Sequence, residues 1–379
     1  MENDMKNIET KFFKYDTLPL ACGETFGPVT LAYETHGTLN EAGDNAILVF
    51  HALTGSHHVA GFTPTVPDVG DRWNAACQTG WWDDFVGPGK AIDTDRFFVV
   101  CANYLGGCYG STGPSSIDPE TDKPYGGTFP HIRFNDIVDS QIPLLDHLGI
   151  EKLHAVVGAS LGGVLTLNFA TRYPGRVTRV IPIACGLKAT ILSRAHNLEQ
   201  ILAIENDPNF SDGDYYDSEP PTRGLALARM ISHKTFVSLH VIEERAHNRF
   251  EQEHDEFSWY KIRSPLESFL LHQGRKLVKR FDANSYIQLI AAWSEYDILK
   301  DADAADYADL FSRCAHQNYL VISIDDDVCF YPDEQQEIRD RLKDARISCN
   351  YLSVPSDKGH DSFLLEPDLY THAIRTALA

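Results

Sequence analysis

The alternation of short apolar runs with helical patterns is the sequence feature that most constrains the fold. Each run is rich in β-branched residues and is followed by turn residues or by a helical pattern. Apolar runs without alternation are typical of strands buried on both faces, as in a parallel sheet packed between helices. The sequence therefore predicts an α/β fold with a mostly parallel central sheet. The predicted strands are Ala46–Phe50, Phe97–Cys101, Leu153–Val157, Val180–Ala184, Leu320–Ile324, the weaker Asn350–Val354, and Pro28–His36 as an edge strand in an antiparallel start to the sheet.

A change of pattern within the chain predicts an inserted segment. From about Lys188 to Tyr307 no strand-like run is visible, whereas helical periodicity continues, and strand signals resume at Leu320. We therefore expect a sheet-containing core over residues 1–187 and 308–379, interrupted by a helical lid over residues 188–307. The predicted helices are Asn135–Leu148, Leu161–Tyr173, Pro332–Lys343 and Glu366–Leu378 in the core, and Leu198–Glu205, Gly224–Ser238, Pro265–Lys279 and Asn284–Tyr296 in the lid.

Composition excludes several classes of partner. The 379 residues include 33 Lys+Arg against 54 Asp+Glu, a formal net charge of −21, with 43% hydrophobic residues. Nucleic-acid binding needs a basic footprint, and an acidic protein is weakly attracted to anionic membranes. No apolar run approaches the length of a signal peptide core or of a membrane span. The eight cysteines form no CxxC pair, which favours reduced thiols over a disulfide framework or a zinc ribbon. The expected location is the cytoplasm, without a nucleic-acid or membrane partner.

The segment Gly158–Gly163 (GASLGG) carries the sharpest chemical signal. It follows the predicted strand Leu153–Val157 and directly precedes a helical pattern, so the G-x-S-x-G pattern stands in strand–turn–helix context. Small residues suit such a strained turn, which exposes the Ser160 hydroxyl in front of the N–H groups of a helix N-terminus. The pattern predicts the nucleophile elbow of an α/β hydrolase; the alternative is a Gly/Ser-rich turn without chemistry.

A serine nucleophile needs a histidine base and an acid that orients the histidine, in the chain order Ser, Asp/Glu, His for this fold. His360 lies in a loop after the last predicted strand and before the C-terminal helix, where this fold delivers its base. The alternative is an ordinary surface histidine. Three adjacent carboxylates, Asp325–Asp327, follow the strand Leu320–Ile324, and at most one of them can be the acid.

An oxyanion hole in this fold uses the N–H after the nucleophile, here that of Leu161, and a second N–H from the loop after an earlier strand. The segment Phe50–Gly55 follows a predicted strand and is placed to supply it. His51, His57 and His58 lie in or near this loop, but no carboxylate or cysteine spacing accompanies them. We therefore expect no metal site there.

The chain as a whole resembles the homoserine O-acyltransferases of the α/β-hydrolase superfamily, most often homoserine O-acetyltransferases. The resemblance covers nearly the whole chain and rests on specific motifs. These are HALTG at His51–Gly55, GWWDDFVGPGKAIDTDRFFVV at Gly80–Val100, NYLGGCYGSTGPSS at Asn103–Ser116, ARM at Ala228–Met230, KRFDANSY at Lys279–Tyr286 and GHDSFLLE at Gly359–Glu366.

The resemblance implies a role for individual residues. It implies Ser160 as the nucleophile, His360 as the base and Asp327 as the triad acid, because Asp327 stands five residues before Pro332, as in the family. It also implies that the backbone N–H groups of Leu53 and Leu161 form the oxyanion hole.

Two further residues are implied as substrate ligands, Arg229 of the ARM motif and Asp361. Homoserine is a zwitterion, so its pocket needs a cation for the carboxylate and an acid for the ammonium. Arginine offers a planar fork that binds a carboxylate with two hydrogen bonds. The residues alone also allow a surface ion pair for Arg229 and a helix N-cap for Asp361.

The activity that follows from the resemblance is transfer of an acetyl group from acetyl-CoA to the side-chain hydroxyl of L-homoserine, through a serine acyl-enzyme, in methionine biosynthesis. Acetyl-CoA is then a cosubstrate, no metal or prosthetic group is bound, and the lid forms a homodimer interface. The alternatives are a succinyl donor, serine as acceptor, a plain esterase, and a non-catalytic binding protein on a hydrolase scaffold.

Two departures from the family pattern stand out. Ala159 occupies an elbow position that is usually glycine, a conservative change. In Cys185–Ile204, Asn197 matches the family, but Ile201 and Leu202 occupy the positions of an Arg-Gln pair. This second change concerns lid packing, dimer geometry and substrate choice, and leaves the triad untouched.

Overall fold

An eight-stranded sheet forms the centre of the molecule. The computed structural model describes residues 7–246, 253–255 and 258–379. Numbered along the chain, the strands lie side by side in the order β1-β2-β4-β3-β5-β6-β7-β8. They are β1 (Lys11–Tyr15), β2 (Val29–His36), β3 (Ala46–Phe50), β4 (Phe98–Ala102), β5 (Leu153–Ala159), β6 (Val177–Ile183), β7 (Asn318–Ile324) and β8 (Ser348–Val354).

The sheet is mostly parallel, as the apolar runs predict. Neighbours from β4 through β3, β5, β6 and β7 to β8 are all parallel. The β1–β2 and β2–β4 pairs are antiparallel. Every residue of β3 is buried, and alternate residues of this strand enter different apolar clusters, Leu48 in one and Val49 in the other. Burial on both faces explains why β3 reads as an unbroken apolar run.

Helices cover the sheet and fill the segment between β6 and β7. Short two-residue ladders, such as Leu18–Pro19 with Thr25–Phe26, occur in the connecting loops. In the described residues the helices are α1 (Phe134–His147), α2 (Leu161–Arg172), α3 (Ile191–Glu205), α4 (Thr222–His233), α5 (Leu239–Ala246), α6 (Pro265–Val278), α7 (Ala283–Glu295), α8 (Ile298–Asp301), α9 (Tyr307–Ser312), α10 (Pro332–Asp344), α11 (Ser362–Leu365) and α12 (Pro367–Leu378).

The long segment between β6 and β7 is mainly helical, with α4 packed between α3 and α6. Helix α3 begins at Ile191 rather than at Leu198, because the Thr190 hydroxyl accepts a hydrogen bond from the Ser193 N–H at 3.0 Å and caps the helix. The division of the chain into a core and a separate lid domain stays a prediction. Across the described ranges, no helix combines the length and apolar character needed to span a membrane.

Two predictions at the periphery are wrong. The segment Pro28–His36 is not an edge strand, because β1 pairs along its outer side. Strand β1 escapes detection because it is a half-exposed strand with lysines, without a continuous apolar run. The segment between β6 and β7 also contains an antiparallel pair of strands, Glu253–Asp255 with Ser258–Ile262, where the sequence pattern predicts no strand. A short pair of strands leaves little apolar periodicity in the sequence.

Candidate active site

Ser160 stands at the turn between β5 and α2. Its φ of 59° and ψ of −127° lie outside the usual regions for a residue with a side chain. The turn is crowded: a Cβ on Gly162 would lie 2.2 Å from the Phe50 carbonyl oxygen, and one on Gly158 would lie 2.3 Å from that of Gly162. Glycine is therefore required two residues before and two residues after the serine, at positions 158 and 162. Such a strained turn presents the Ser160 side chain at the carboxyl end of the parallel strands.

Asp327 and His360 form a buried pair. Nδ1 of His360 lies 2.6 Å from Oδ2 of Asp327, and the two residues are 2% and 1% exposed, respectively. The other carboxylate oxygen, Oδ1, accepts hydrogen bonds from the backbone N–H groups of Cys329 at 2.8 Å and Phe330 at 2.9 Å. These bonds fix the carboxylate and direct its other oxygen at the Nδ1 edge of the imidazole. Nε2 of His360 is buried and has no hydrogen-bond partner in the described residues.

The surroundings of His360 favour its protonated form. Burial opposes the charge, but the Asp327 carboxylate, its hydrogen bond and the charge of Asp361 together raise the pKa of His360 above its ordinary value. Aromatic rings of Phe236, Phe330 and Phe363 lie 5.4–5.9 Å from the imidazole, centroid to centroid. The histidine is therefore buried among aromatic rings and is oriented through one of its two nitrogens.

The loop that carries His360 rests on the segment after α4. Gly359 has a φ of +70°, and a Cβ there would lie 2.5 Å from the Ser238 backbone nitrogen. The Asp361 N–H donates to the Phe236 carbonyl at 2.9 Å. The position of the histidine thus depends on the inserted helical segment as well as on the sheet.

The two residues expected to form the oxyanion hole, Leu161 and Leu53, lie next to the serine in the chain and on the wall of the same cavity, respectively, and the direction of their N–H groups stays a prediction. Leu161 is the first residue of α2, and the N–H groups of a first helical turn have no acceptor within the helix. Leu53 lies in a tight turn after β3, closed by a hydrogen bond of 2.9 Å from the Gly55 N–H to the Ala52 carbonyl. Leu53 and Ser160 line the same cavity.

A cavity of about 250 Å³ brings the predicted site residues together. Its wall includes Ser160, His360, Arg229, Asp361 and Leu53. Asp327 lies behind His360 and does not line it. The remaining lining comes mainly from the loop after β3, the segment between β3 and β4, and the end of α6, namely Ala52, Thr54, Gly55, Ser56, His58, Ala76, Cys77, Thr79, Trp81, Tyr109, Phe236, Gln273, Lys276, Leu277, Arg280, Phe363 and Leu364.

Arg229 and Asp361 occupy neither of the alternative settings that the sequence allows. The structure describes no hydrogen bond or ion pair made by the Arg229 guanidinium, which lies 4.9 Å from the centre of the Phe236 ring. Burial and the nearby Arg280 lower its pKa. Asp361 precedes α11, but its side chain caps no N–H. Burial raises the pKa of Asp361, against the opposing charge of Arg229. The guanidinium of Arg229 and the carboxylate of Asp361 therefore line one cavity, and both can still form hydrogen bonds to a bound molecule.

The three histidines of the loop after β3 have structural partners. His58 bonds the buried carboxylate of Glu34 at 2.9 Å, His57 bonds the Thr10 hydroxyl at 2.9 Å, and His51 stacks on Tyr104 at 3.6 Å. Burial lowers the pKa of His51 to about 3 and that of His57 to about 4. Both are therefore neutral at physiological pH.

Arg280 is a cavity residue to which no sequence pattern assigns a role. Its guanidinium donates to the carbonyl and the hydroxyl of Thr54, at 2.7 and 3.2 Å, and to the Tyr109 hydroxyl at 3.2 Å. Arg280 belongs to the KRFDANSY motif, which supports the family resemblance without indicating a role for this arginine. No local pattern signals a contact between residues so far apart in the chain.

The fold and the elbow define the class of protein. The family model that matches residues 45–367 is that of the alpha/beta hydrolase fold. The strand order, the serine turn and the Asp327–His360 pair are arranged as this fold requires. The chain therefore belongs to the α/β-hydrolase fold family, which confirms the predicted fold class.

Relatives narrow the class further. The chain is 42% identical over 369 residues to a homoserine O-acetyltransferase of Carboxydothermus hydrogenoformans, covering 97% of this chain and 94% of the relative. It is also 42% identical over 365 residues to a homoserine O-succinyltransferase of Alkalilimnicola ehrlichii, covering 95% and 91%. The chain thus belongs to the homoserine O-acyltransferase family, as its motifs predict.

Solved structures show the same relationship. The structure of homoserine O-acetyltransferase from Bacillus anthracis matches with a TM-score of 0.87 and 28% identity, covering 99% of this chain and 98% of that one. Esterase E22 matches with a TM-score of 0.85 and 27% identity, covering 98% and 100%. The same backbone fold therefore occurs in a protein named as an acetyltransferase and in one named as an esterase.

Proposed function

We propose that this homoserine O-acyltransferase moves an acetyl group from acetyl-CoA to the side-chain hydroxyl of L-homoserine, through an acyl-enzyme on Ser160. The observation that carries the proposal is the pair of opposite charges, Arg229 and Asp361, on the wall of the cavity that contains Ser160 and His360. Arg229 suits a substrate carboxylate and Asp361 suits an ammonium group. An amino acid held between them presents its side chain to the acylated serine.

In the first half-reaction, Nε2 of His360 accepts the proton of the Ser160 hydroxyl as Oγ bonds to the thioester carbonyl carbon. The negative charge on the carbonyl oxygen is stabilised by the N–H groups of Leu53 and Leu161. The carbon–sulfur bond then breaks, and the protonated His360 gives its proton to the leaving sulfur. The products are free coenzyme A and an acetyl ester on Ser160.

In the second half-reaction, the homoserine hydroxyl loses its proton to Nε2 of His360 and attacks the acetyl carbonyl. The same two N–H groups hold the second oxyanion. The bond to Oγ of Ser160 breaks, and Oγ takes the proton back from His360. Asp327 keeps the imidazole in the correct tautomer and stabilises the imidazolium that forms in each half-reaction.

Transfer instead of hydrolysis requires that the acceptor outcompete water. Binding through two charges places the homoserine hydroxyl beside the acyl-enzyme, and such positioning is worth several orders of magnitude in rate. A plain esterase needs no zwitterion site. The Arg229–Asp361 pair therefore favours transfer, although esterase E22 shares the fold.

The choice of acetyl over succinyl is supported by the names of relatives, since several proteins that are 39–42% identical to this chain are named homoserine O-acetyltransferases. The cavity contains three cationic side chains. The guanidinium of Arg280 is engaged by Thr54 and Tyr109, and Arg229 is assigned to the homoserine carboxylate. Lys276 is then the cation that a succinyl carboxylate would need, and an acetyl group needs none, so the donor comparison below decides between the two.

The assembly we propose is a homodimer through the inserted helices. Helix α3 exposes Ile191, Leu198 and Leu202, which are 79%, 56% and 44% accessible, and Leu227 of α4 is 48% accessible. Apolar side chains grouped on one surface are typical of a protein–protein interface. Leu202 occupies one of the two positions where this sequence departs from the family's Arg-Gln pair, so the departure falls on this surface.

The compartment and the place in metabolism follow from the chemistry. All eight cysteines are free, which supports a reducing cytoplasm. Acetylation turns the homoserine hydroxyl into a leaving group that a sulfur nucleophile can displace, as methionine biosynthesis requires. No metal or prosthetic group takes part in the proposed steps, and acetyl-CoA acts as a cosubstrate.

The test is a comparison of donors and acceptors. Purified protein is assayed with acetyl-CoA or succinyl-CoA, each with homoserine, serine or no acceptor, and products are identified by mass spectrometry. We expect O-acetylhomoserine as the main product and only slow hydrolysis without acceptor. Dominant succinyl transfer, dominant serine acylation, or hydrolysis that is indifferent to homoserine would each overturn the proposal. Ser160→Ala protein controls for non-enzymatic acyl transfer.

A further inference from the structure

Arg280 joins the helical insertion to the turn that carries the Leu53 N–H. It lies between the end of α6 and Asp282, whose side chain caps α7 by accepting the Ser285 N–H at 2.9 Å. From this anchored position its guanidinium reaches across the cavity wall to Thr54. The Tyr109 hydroxyl accepts from the guanidinium at 3.2 Å and donates to the Arg280 carbonyl at 2.6 Å. The arginine is therefore held at both its backbone and its side chain.

The turn that Arg280 contacts has an unusual residue at its third position. The hydrogen bond from Gly55 to Ala52 makes residues 52–55 a tight turn, with Leu53 second and Thr54 third. Thr54 has a φ of 65°, and a positive φ at the third position of a turn ordinarily calls for glycine or asparagine. Among the described non-glycine residues with positive φ, Thr54 is the only β-branched one. Such a conformation persists only when the surroundings impose it.

Arg280 supplies that constraint through the two atoms that Thr54 offers. Its Nη1 donates to the Thr54 carbonyl at 2.7 Å, and its Nη2 donates to the Thr54 hydroxyl at 3.2 Å. A glycine would relieve the strain but would lack the hydroxyl acceptor. The threonine therefore fits a turn that is held from outside rather than one that is stable by itself.

We propose that Arg280 is a positioning residue that holds the Ala52–Gly55 turn through Thr54 and so aims the Leu53 N–H at the oxyanion. The proposal rests on the proposed function for the roles of Ser160 and Leu53. Arg280 touches neither the acyl group nor the acceptor in this account. Since the oxyanion forms in both half-reactions, loss of Arg280 slows both, whereas loss of the Arg229 guanidinium, a homoserine ligand, affects only the second.

The experiment measures the burst of coenzyme A release from acetyl-CoA without homoserine, in wild type and Arg280→Ala. The burst amplitude counts active molecules, and the burst rate constant reports acylation. Removing one oxyanion donor costs about 10²–10³-fold in a serine protease, so a donor that is kept but wrongly oriented should cost about 10–10²-fold. We expect this fall in the rate constant, with an unchanged homoserine KM. Lys279→Ala, an exposed neighbour in the same segment, is the matched control and should behave as wild type.

Two further variants separate positioning from general stability. Thr54→Val keeps the β-branch but removes the hydroxyl acceptor, so it should lower the burst rate constant less than Arg280→Ala does. Thr54→Gly in the Arg280→Ala background removes the strain that the arginine opposes, so it should recover part of the lost rate. If Arg280→Ala fails to fold, the burst rate constant of Thr54→Val tests the positioning role instead, since this variant removes only the hydrogen bond to the Thr54 hydroxyl.

Three results would overturn the inference. One is an unchanged burst rate constant in Arg280→Ala and Thr54→Val. Another is a raised homoserine KM with a normal burst in Arg280→Ala, which would make Arg280 a substrate ligand. The third is the absence of any recovery in the Thr54→Gly double variant. A wild type without a burst, from acetyl-CoA or from p-nitrophenyl acetate, would instead contradict the proposed function, so the two failures are distinguishable.

Discussion

Nδ1 of His360 lies 2.6 Å from Oδ2 of Asp327, and the other oxygen of that carboxylate is held by two backbone N–H groups. This arrangement fixes the histidine tautomer, because a carboxylate that accepts at Nδ1 requires the proton there. The free Nε2 is left as the only nitrogen of His360 that can exchange a proton with the substrate or with Ser160. Both proposed half-reactions depend on that division of roles.

The choice of acid among three neighbours can be tested directly. Asp327 is buried, whereas Asp325 and Asp326 are exposed. Asp327→Asn should lower kcat by several orders of magnitude, since the same change costs about 10⁴ in a serine protease by favouring the wrong tautomer. Asp325→Asn and Asp326→Asn are the matched controls and should retain activity in a steady-state transfer assay. Comparable losses at Asp326 would shift the assignment by one residue.

The pH dependence of acylation follows from the raised pKa of His360. The base must be neutral to take the proton of Ser160, so the acylation rate rises with pH as the imidazolium deprotonates. Asp327 raises the pKa of His360 above its ordinary value of 6.5, so the half-maximal burst rate should lie above that pH. A profile already flat at pH 6.5 would contradict the electrostatic account.

Asp361 contributes to the same pKa. Its charge raises the pKa of His360, so Asp361→Asn should move the midpoint of the acylation profile to lower pH. The plateau at higher pH should stay close to that of wild type, because Asp361 does not act on the thioester. Asp357→Asn, an exposed aspartate of the same loop, should leave the profile unchanged.

The role of Arg229 as a homoserine ligand is tested by measuring the two half-reactions separately. Arg229→Lys keeps the charge but loses the planar fork, and hydrogen bonds to charged groups contribute about 1.5–3 kcal/mol, so the apparent homoserine KM should rise about tenfold or more. The coenzyme A burst without homoserine should be unaffected. Arg223→Lys, an exposed arginine on the same helix, is the matched control. Equal loss of burst and transfer, or no loss at all, would remove Arg229 from the homoserine site.

The proposed dimer is tested on α3. Leu198→Asp places a charge among the exposed apolar side chains of α3 and should convert a dimer into monomers. The mass of the particle is measured by light scattering after size-exclusion chromatography. Leu365→Asp, at another exposed leucine that is 63% accessible, is the control and should remain dimeric. A wild type that is monomeric at micromolar concentration would refute the dimer.

The sheet and the serine turn could be predicted because their signals are local. A strand buried on both faces must be apolar throughout, as β3 is, and the elbow needs glycine on both sides of Ser160 because backbone atoms lie too close for a Cβ. Strand β1 could not be found in the same way, since its half-exposed residues follow no continuous apolar pattern.

The contact of Arg280 with Thr54 shows the other limit of prediction. An arginine at the end of a helix usually suggests a solvated cation, and a threonine after a strand suggests nothing about its φ angle. Only the packing of the segment between β6 and β7 on the loop after β3 brings Nη1 of Arg280 to 2.7 Å from the carbonyl oxygen of Thr54. The family resemblance predicts Arg229 and Asp361 as substrate ligands, whereas the cavity that they share is visible only in three dimensions.

The most direct test of the central claim is to observe the acyl group on Ser160 and follow its fate. The protein is mixed with acetyl-CoA, its intact mass is measured, the modified peptide is located, and homoserine is then added. We predict one acetyl group on the peptide that contains Ser160, absent in Ser160→Ala, which disappears on addition of homoserine with formation of an equal amount of O-acetylhomoserine. No acetyl group on Ser160, or its loss as free acetate at the same rate with and without homoserine, would contradict the account.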